Sequence, residues 1–191
     1  MHIVKIRPDQ VLPQGEWDEV VVLVDPALHL STSTWPSTRY ALPVYTPEPE
    51  FNKLRVLVKR LIREGATKFE CSDLATLRLL KSLGVTDITA DWTLYAFNSY
   101  ALKALSDLGV KRFVASPENN EENLQYLRES GYDIEFLAQQ STPLFISVTE
   151  PEPQTDLAVF KRGHVWVTTK RAPRTWPGGT RIDLSWDPPT E

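Results

Sequence analysis

Two carboxylates, Asp91 and Glu118, are the side chains in this sequence best suited to acid–base chemistry. Asp91 follows the apolar run "ITA", and Glu118 follows "FVASP". Two carboxylates placed near each other can share the work of general acid and general base. We therefore predict that these two residues are catalytic. The alternatives are a strand-ending turn for Asp91 and a first-turn helical position facing the helix dipole for Glu118.

Four further residues are predicted to bind a substrate: Trp92, Asn98, Ser116 and Gln140. They lie at or beyond the points where apolar runs end. Asn98 has a competing role as a helix cap, because its side chain can accept a hydrogen bond from a backbone N–H of the following helix. Trp92 can equally be a packing residue.

Other catalytic sets and metal sites find little support in the sequence. The single cysteine, Cys71, cannot supply a cluster that needs four cysteines, and the three histidines have no zinc-ligand spacing. No G-x-G-x-x-G, P-loop or nucleophile-elbow motif occurs. A pair of Cys71 with His29 is conceivable, but a small buried side chain is the favoured role of Cys71. We expect no metal and no cofactor.

A fourfold repeat predicts the elements that position these residues. In each unit a helical pattern ends at a glycine, which adopts the left-handed conformation at little cost. A short apolar strand and then polar residues follow. The glycines are Gly65, Gly84, Gly109 and Gly131. Alternating helix and strand predict βα units and a parallel sheet, with ligands at the carboxyl ends of the strands.

The short βα units favour a TIM-type barrel over a doubly wound sheet. The runs at 19–26 and 41–45 add two strands, but a full barrel typically needs eight units and about 250 residues. We therefore predict an α/β fold in which parallel βα repeats form a partial or remodelled TIM-type barrel. Open sheet edges in such a barrel need a cover.

The last part of the chain differs in pattern from the rest, which predicts two parts. Residues 1–150 form the barrel-like βα domain, and residues 151–191 form a small β appendage. Within the appendage, "LAVFKRGHVWVTTK" predicts a hairpin with Arg162–Gly163 at the turn, and "RIDLSWDP" predicts a further strand. A connection as long as 26–50 is typical of a functional or a mobile segment.

Charge and hydropathy restrict the partners. The formal net charge of -4 argues against an electrostatic grip on nucleic acid. No apolar run is long enough to span a membrane, and the first twenty residues lack an apolar signal core. We therefore expect a cytoplasmic protein with neither a membrane nor a nucleic-acid partner.

The stretch "DWTLYAFNSYALKALSDLGVKRFVASPENNEENLQYL" resembles the collagenase-like peptidases of family U-thirty-two. That family carries an aspartate at a strand end, a Leu-x-x-Phe-Asn-Ser stretch, a helix ending in Leu-Gly and a Ser-Pro-Glu strand end. Glu135 and Phe136 match the family's next strand, so the resemblance covers residues 65–150. The matching residues of the first stretch are Asp91, Leu94, Phe97, Asn98, Ser99, Leu108, Gly109, Ser116, Pro117 and Glu118.

The resemblance implies a TIM-like barrel and activities that range from peptidase to RNA-base and quinone hydroxylation. The hydroxylating members of the family use an iron–sulfur cluster held by cysteines. This chain has Gln140 where the family usually has glycine, and no cysteine follows Cys71. The resemblance therefore implies a shortened member without the cluster.

Together these observations predict a cluster-free barrel of the collagenase-like peptidase family that binds a small molecule or peptide at its strand ends. One alternative is a non-catalytic subunit or domain that completes a barrel with a partner chain, or a homodimer that covers the open edges. Another alternative is an active peptidase of the hydrolase class.

Overall fold

The computed structural model describes residues 1–24, 26, 37–152 and 155–189. Asp25, in the predicted strand at 19–26, and His29 fall outside these residues. The proposed pairing of Cys71 with His29 therefore has no structural description.

The described residues form two β-sheets and four α-helices. A single turn of 3₁₀ helix, Trp92–Leu94, follows the fifth strand. The helices are α1 (Glu48–Arg63), α2 (Leu74–Ser82), α3 (Ser99–Asp107) and α4 (Glu121–Glu129). The strands are β1 (Ile3–Ile6), β2 (Glu19–Leu23), β3 (Thr38–Ala41), β4 (Lys68–Cys71), β5 (Asp87–Ala90), β6 (Arg112–Val114), β7 (Asp133–Glu135), β8 (Leu137–Gln140), β9 (Pro143–Ser147), β10 (Leu157–Arg162), β11 (Val165–Lys170), β12 (Arg174–Thr175) and β13 (Arg181–Asp183).

The larger sheet is curled, mostly parallel and shaped as a half-barrel. Its strand order is β12-β8-β13-β1-β2-β3-β4-β5-β6-β7, and the described ladders are parallel apart from β12–β8. One residue, Phe136, separates β7 from β8, and its carbonyl accepts hydrogen bonds from the N–H groups of Thr180 (3.0 Å) and Arg181 (3.1 Å). The prediction of an α/β fold built on parallel βα repeats is confirmed at this level.

The glycine repeat has the predicted local structure. Gly65, Gly84, Gly109 and Gly131 have φ angles of 100°, 78°, 96° and 77°, in the left-handed region that favours glycine at a helix end. The next strand begins within a few residues of each glycine because the left-handed residue turns the chain out of the helix.

Alternation along the strands separates two sides of the larger sheet. Val4 and Ile6 of β1 pack in the main apolar core, together with Leu54 and Val58 of α1. The intervening Lys5 points to the other side, where it is 1% exposed. Successive side chains of a strand point to opposite faces, so the helices cover one face and charged residues line the concave face.

Two sequence predictions need correction, and one strand was not predicted. The strand predicted at 41–45 lies at Thr38–Ala41, because residues 38–41 are those that pair with β2. The strand β1, which the sequence did not predict, lies at the centre of the sheet beside β2. The hairpin loop is Gly163–His164, since Arg162 still pairs with Val165 in the ladder.

The C-terminal segment contributes strands to both sheets. Strand β13 lies between β8 and β1, and β12 extends the larger sheet beyond β8. Strands β10 and β11 form the smaller antiparallel sheet together with β9, in the order β10-β11-β9. We call this three-stranded sheet the cap sheet.

The cap sheet packs over residues at and just beyond the carboxyl ends of the strands of the larger sheet. Their contact is a second apolar cluster, distinct from the helix-facing core, and it includes two tryptophans whose rings lie 6.0 Å apart. Such a cluster excludes water from the strand ends beneath it. Its buried members are Trp92, Val114, Leu137, Phe160, Val165, Val167 and Trp186.

Candidate functional site

A buried network of charges occupies the concave side of the larger sheet. It arises because charged residues alternate with apolar ones in the strands, so that the apolar residues face the helices and the charged residues face inward. We call its central part the inner charge cluster. The members are Lys5 of β1, Glu70 of β4, Asp91 after β5, Glu135 of β7, and Arg181 and Asp183 of β13, each at most 2% exposed.

Lys5 connects two carboxylates of the inner charge cluster. Its Nζ lies 2.7 Å from Oε1 of Glu70 and 2.9 Å from Oδ2 of Asp91. Burial by itself would lower the pKa of this ammonium group, but the attraction of Asp91 and Glu70 outweighs it, and the pKa of Lys5 is raised. Lys5 is therefore a fixed positive charge, held where it compensates both acids.

Asp91, the predicted catalytic acid or base, is enclosed. Its Oδ1 accepts a hydrogen bond from the backbone N–H of Trp92 at 2.8 Å, and its Oδ2 is held by Lys5. Burial raises the pKa of Asp91, Lys5 opposes the rise, and the nearby carboxylate of Glu70 adds to it. A raised pKa is typical of an acid–base residue, but in this place it follows from a shared, solvent-excluded ion-pair network.

Glu70 is the acid that the cluster stabilises most clearly as an anion. Arg181 donates to both of its oxygens, at 3.0 and 2.8 Å, in addition to Lys5. Burial raises the pKa of Glu70, but Arg181 and Lys5 together lower it to about 2. Arg181 also donates to Glu135, so that one guanidinium joins carboxylates from two strands.

A second group of charges lies at the amino-terminal ends of β2, β3, β5 and β6. Arg39 donates to Glu19 at 2.9 Å and to Asp87 at 2.9 Å. Arg112 links this group to the inner charge cluster, because its Nη1 lies 3.3 Å from oxygens of both Glu19 and Glu135. The interior is therefore an extended network of alternating charges, which resists rearrangement because each removal leaves a buried charge uncompensated.

Gln140 and Trp92, two of the predicted binding residues, contribute to this interior. Gln140 donates from Nε2 to Asp183 at 2.9 Å and accepts from the hydroxyl of Thr142 at 3.1 Å. Trp92 is 3% exposed and packs against Trp186 beneath the cap sheet. Both side chains are held by the protein itself, one in the polar network and one in apolar packing.

Ser116 and Glu118 lie side by side, in surroundings that differ from those of Asp91. Ser116 is buried and its hydroxyl accepts a hydrogen bond from the N–H of Glu118 at 3.2 Å. Glu118 is exposed and close enough to Tyr95 to raise the pKa of that phenol, after the larger effect of burial. Glu118 is thus at the surface while Asp91 is enclosed.

Asn98 has the role of a helix cap. It precedes α3, is exposed, and accepts a hydrogen bond through Oδ1 from the N–H of Ala101 at 3.0 Å. Asp73 and Asn120 cap α2 and α4 in the same way. Cys71 is buried in the helix-facing core, and its thiol donates to the carbonyl of Thr89 at 3.4 Å.

Sequence reasoning missed the residues that organise this interior: Lys5, Glu70, Glu135 as a charged group, and Arg181. A signal was present, because each is a charged residue at an alternate position of a short strand, in "IVKI", "KFEC", "DIE" and "RID". In a parallel sheet a charge at such a position must face either solvent or a partner. The sequence did not say which strands would supply the partners.

One cavity lies at the rim where the cap sheet meets the carboxyl ends of β1 and β2. Its volume is about 140 Å³. We call it the rim cavity. Three cations, one carboxylate and apolar side chains line it: Arg7, Lys161, Arg162, Asp9, Leu23 and Phe160, with Pro8, Gly163 and Pro189.

The cations of the rim cavity are held in place by their neighbours. Arg7 donates from Nη1 to the carbonyl of Asp187 at 2.7 Å and from Nε to Asp9 at 3.1 Å. The guanidinium of Arg162 stacks 3.6 Å from the ring of Trp186. These contacts fix the orientation of two of the three positive groups.

Comparison of the chain with family models, curated proteins and solved structures gives no match. Within the described residues, no group of three His, Cys, Asp or Glu side chains is arranged to hold a metal ion. None of the helices in the described ranges combines the length and the apolar character needed to cross a bilayer.

Proposed function

We propose that this protein is a shortened, cluster-free relative of the collagenase-like peptidases that binds a small carboxylate-bearing molecule or peptide end at the rim of its strand ends, without cleaving it. The observation that carries the proposal is the rim cavity, which places Arg7, Lys161 and Arg162 beside Leu23 and Phe160. Cations beside an apolar wall suit an anionic head group that is attached to a short apolar portion.

The same proposal takes the curled sheet as a remodelled TIM-type barrel. The one-residue link between β7 and β8 at Phe136 supports this, because the two strands pair with opposite ends of the run from β13 to β6. Ligands of such barrels bind at the carboxyl ends of the strands, and the rim cavity lies at the ends of β1 and β2.

The size of the rim cavity restricts the ligand. A volume of about 140 Å³ corresponds to a few heavy atoms, since one water occupies about 30 Å³ in the liquid. The cavity therefore suits a carboxylate or phosphate group and its nearest carbon atoms, with any remaining part of the ligand outside. Its three cations and one carboxylate leave a positive excess.

Binding is favoured over proteolysis because of the state of Asp91 and Glu118. A general acid or base must reach the atom whose proton it transfers. Asp91 is bonded to Lys5 and lies beneath the apolar contact of the cap sheet, whereas Glu118 is at the surface. One carboxylate is enclosed and the other is exposed, and this difference argues against the active-peptidase alternative.

The test is calorimetric titration of the protein with a short peptide that has a free carboxyl terminus and with its carboxyl-amidated counterpart. We expect the free acid to bind and the amide to bind at least about tenfold more weakly, a difference of about 1.4 kcal/mol. Lys161→Met should weaken the free acid by a similar factor, whereas Lys59→Met, an exposed position on α1, should not.

Inorganic phosphate, titrated separately, distinguishes a phosphate ligand from a carboxylate ligand. Equal affinity for the acid and the amide, or binding that Lys161→Met leaves unchanged, would contradict the proposed site. Cleavage of either peptide that is lost in Asp91→Asn would favour the peptidase instead.

A further inference from the structure

Strand β9 forms an exposed apolar edge of the cap sheet. Within the described residues its ladder partner is β11 alone, on one side. Three large apolar side chains in and after β9 are more than half exposed: Leu144 (54%), Phe145 (56%) and Val148 (63%). An exposed edge strand offers a row of backbone N–H and C=O groups and is a template for a further strand.

The amino-terminal end of β9 is cationic. Thr169 of β11 pairs with Pro143, the first residue of β9, so that Lys170 and Arg171 lie at this end of the strand. Arg174 of β12 is close by, because β12 pairs with the last residues of β8, which directly precede β9. All three cationic side chains are exposed.

The chain after β9 has the opposite charge. Glu150 and Glu152 follow the strand, and both are exposed. The sign of the charge therefore reverses from one end of this short edge to the other.

We propose that β9 pairs antiparallel with β9 of a second copy of this chain, about a two-fold axis near Phe145. Antiparallel pairing reverses one strand relative to the other. Glu150 and Glu152 of each copy are thereby brought towards Lys170 and Arg171 of the other. The two cap sheets become one six-stranded sheet. The Phe145 rings of the two copies meet at the axis on one face, and Leu144 lies beside the partner strand on the other face.

The pattern of charge selects a second copy over other partners. A two-fold interface joins the same surface of both subunits, so it needs a surface that is complementary to itself, and an edge with a positive and a negative end satisfies this condition. A nucleic acid binds most favourably to a surface that is basic along its whole length. Glu150 and Glu152, at one end of this edge, would repel its phosphates.

Light scattering coupled to size-exclusion chromatography tests the pairing on the full chain. We expect a mass of twice 21.7 kDa at micromolar protein concentration. Phe145→Asp should raise the dissociation constant by about tenfold or more, since it places two carboxylates at the axis. The matched control is Tyr100→Asp, an 86% exposed aromatic residue on α3, which should leave the mass unchanged.

Charge reversal distinguishes a loss of this interface from a general loss of folding. The Lys170→Glu/Arg171→Glu chain has two acidic ends, and the Glu150→Lys/Glu152→Lys chain has two basic ends. Each should be monomeric alone, and an equimolar mixture of the two should form a heterodimer. Raising the salt from about 0.1 M to about 1 M should weaken the heterodimer, because the screening length falls from about 10 Å to about 3 Å.

Three outcomes would overturn the proposal. The first is a wild-type protein that stays monomeric up to about a millimolar, which would mean a binding free energy weaker than about −4 kcal/mol. The second is a dimer that persists in Phe145→Asp and in both charge-reversed chains. The third is a mixture of the two charge-reversed chains that stays monomeric. Copurification of nucleic acid that is lost in Lys170→Glu/Arg171→Glu would also overturn it, since the cationic end would then have a different ligand.

Discussion

Replacing Lys5 by methionine removes the cation between Glu70 and Asp91 but keeps a side chain of similar length. The ammonium nitrogen lies 2.7 and 2.9 Å from the two carboxylates and is 1% exposed. At an effective dielectric constant of about 20, unit charges about 3 Å apart attract each other by about 5–6 kcal/mol. Two such attractions give a gross gain of about 11 kcal/mol, from which the desolvation of Lys5 subtracts several.

The expected net loss in the free energy of unfolding is about 3–5 kcal/mol, the cost of leaving one partner of a buried pair uncompensated. Urea unfolding at neutral pH, followed by the fluorescence of the six tryptophans, measures it. For a chain of this length the loss corresponds to a fall in Tm of roughly 10 °C.

Two further variants test whether the loss of stability in Lys5→Met comes from burial and from uncompensated charge. Lys53→Met removes an ion pair of the same length, 2.9 Å to Glu50, but Lys53 is 69% exposed, so we expect a loss below about 0.5 kcal/mol. Adding Asp91→Asn to Lys5→Met removes one uncompensated carboxylate, and the double variant should be more stable than Lys5→Met alone. A loss below about 1 kcal/mol in Lys5→Met would refute the account of the inner charge cluster.

Three other predictions follow from the same structure. Arg181 and Lys5 outweigh burial and lower the pKa of Glu70 from 4.5 to about 2. Ionised Glu70 therefore contributes about 3 kcal/mol to the free energy of unfolding, which is present above pH 4.5 and lost as the pH falls towards 2. Acid unfolding of Glu70→Gln should lack this component, and an acid-unfolding profile identical to that of the wild type would argue against it. Gly179→Ala places a Cβ 2.0 Å from the carbonyl oxygen of Leu137, so it should lower the Tm by more than Gly178→Ala does. At Gly178 the space is open and φ is 75°, so that alanine there adds only about 1 kcal/mol of backbone strain. Equal Tm values for the two variants would contradict this packing. The buried thiol of Cys71, whose pKa burial raises, should react with a disulfide reagent only when the protein is unfolded, and rapid labelling of the native protein would show that the strand end is open.

The local elements could be predicted because they depend on neighbours in the chain. Helix periodicity, the glycines at Gly65 and Gly84, and caps such as Asn98 act over a few residues, so the sequence determined the βα units and their parallel order. The strand β1 was missed because four residues between polar segments carry too weak a signal. Its stability comes from pairing with β2 on one side and β13, far along the chain, on the other.

The candidate site depended on tertiary structure for a different reason. The sequence located the ends of the strands, but the interpretation of Asp91 as an open catalytic acid required that nothing cover it. Lys5 lies 86 residues away in the chain, and the cap sheet that encloses the strand ends comes from the C-terminal segment. Partners this distant leave no periodicity in the sequence.

The amino-acid sequence by itself thus determined which side chains lie at strand ends and which elements present them, because those properties are set by local backbone preferences and by alternation of apolar residues. Only the tertiary structure decided that Asp91 is compensated in the interior while Glu118 stays at the surface. It also decided that the cation after β1, Arg7, and the cations of the hairpin meet at the rim cavity. The physical reason is that burial and charge compensation depend on which distant strands become neighbours.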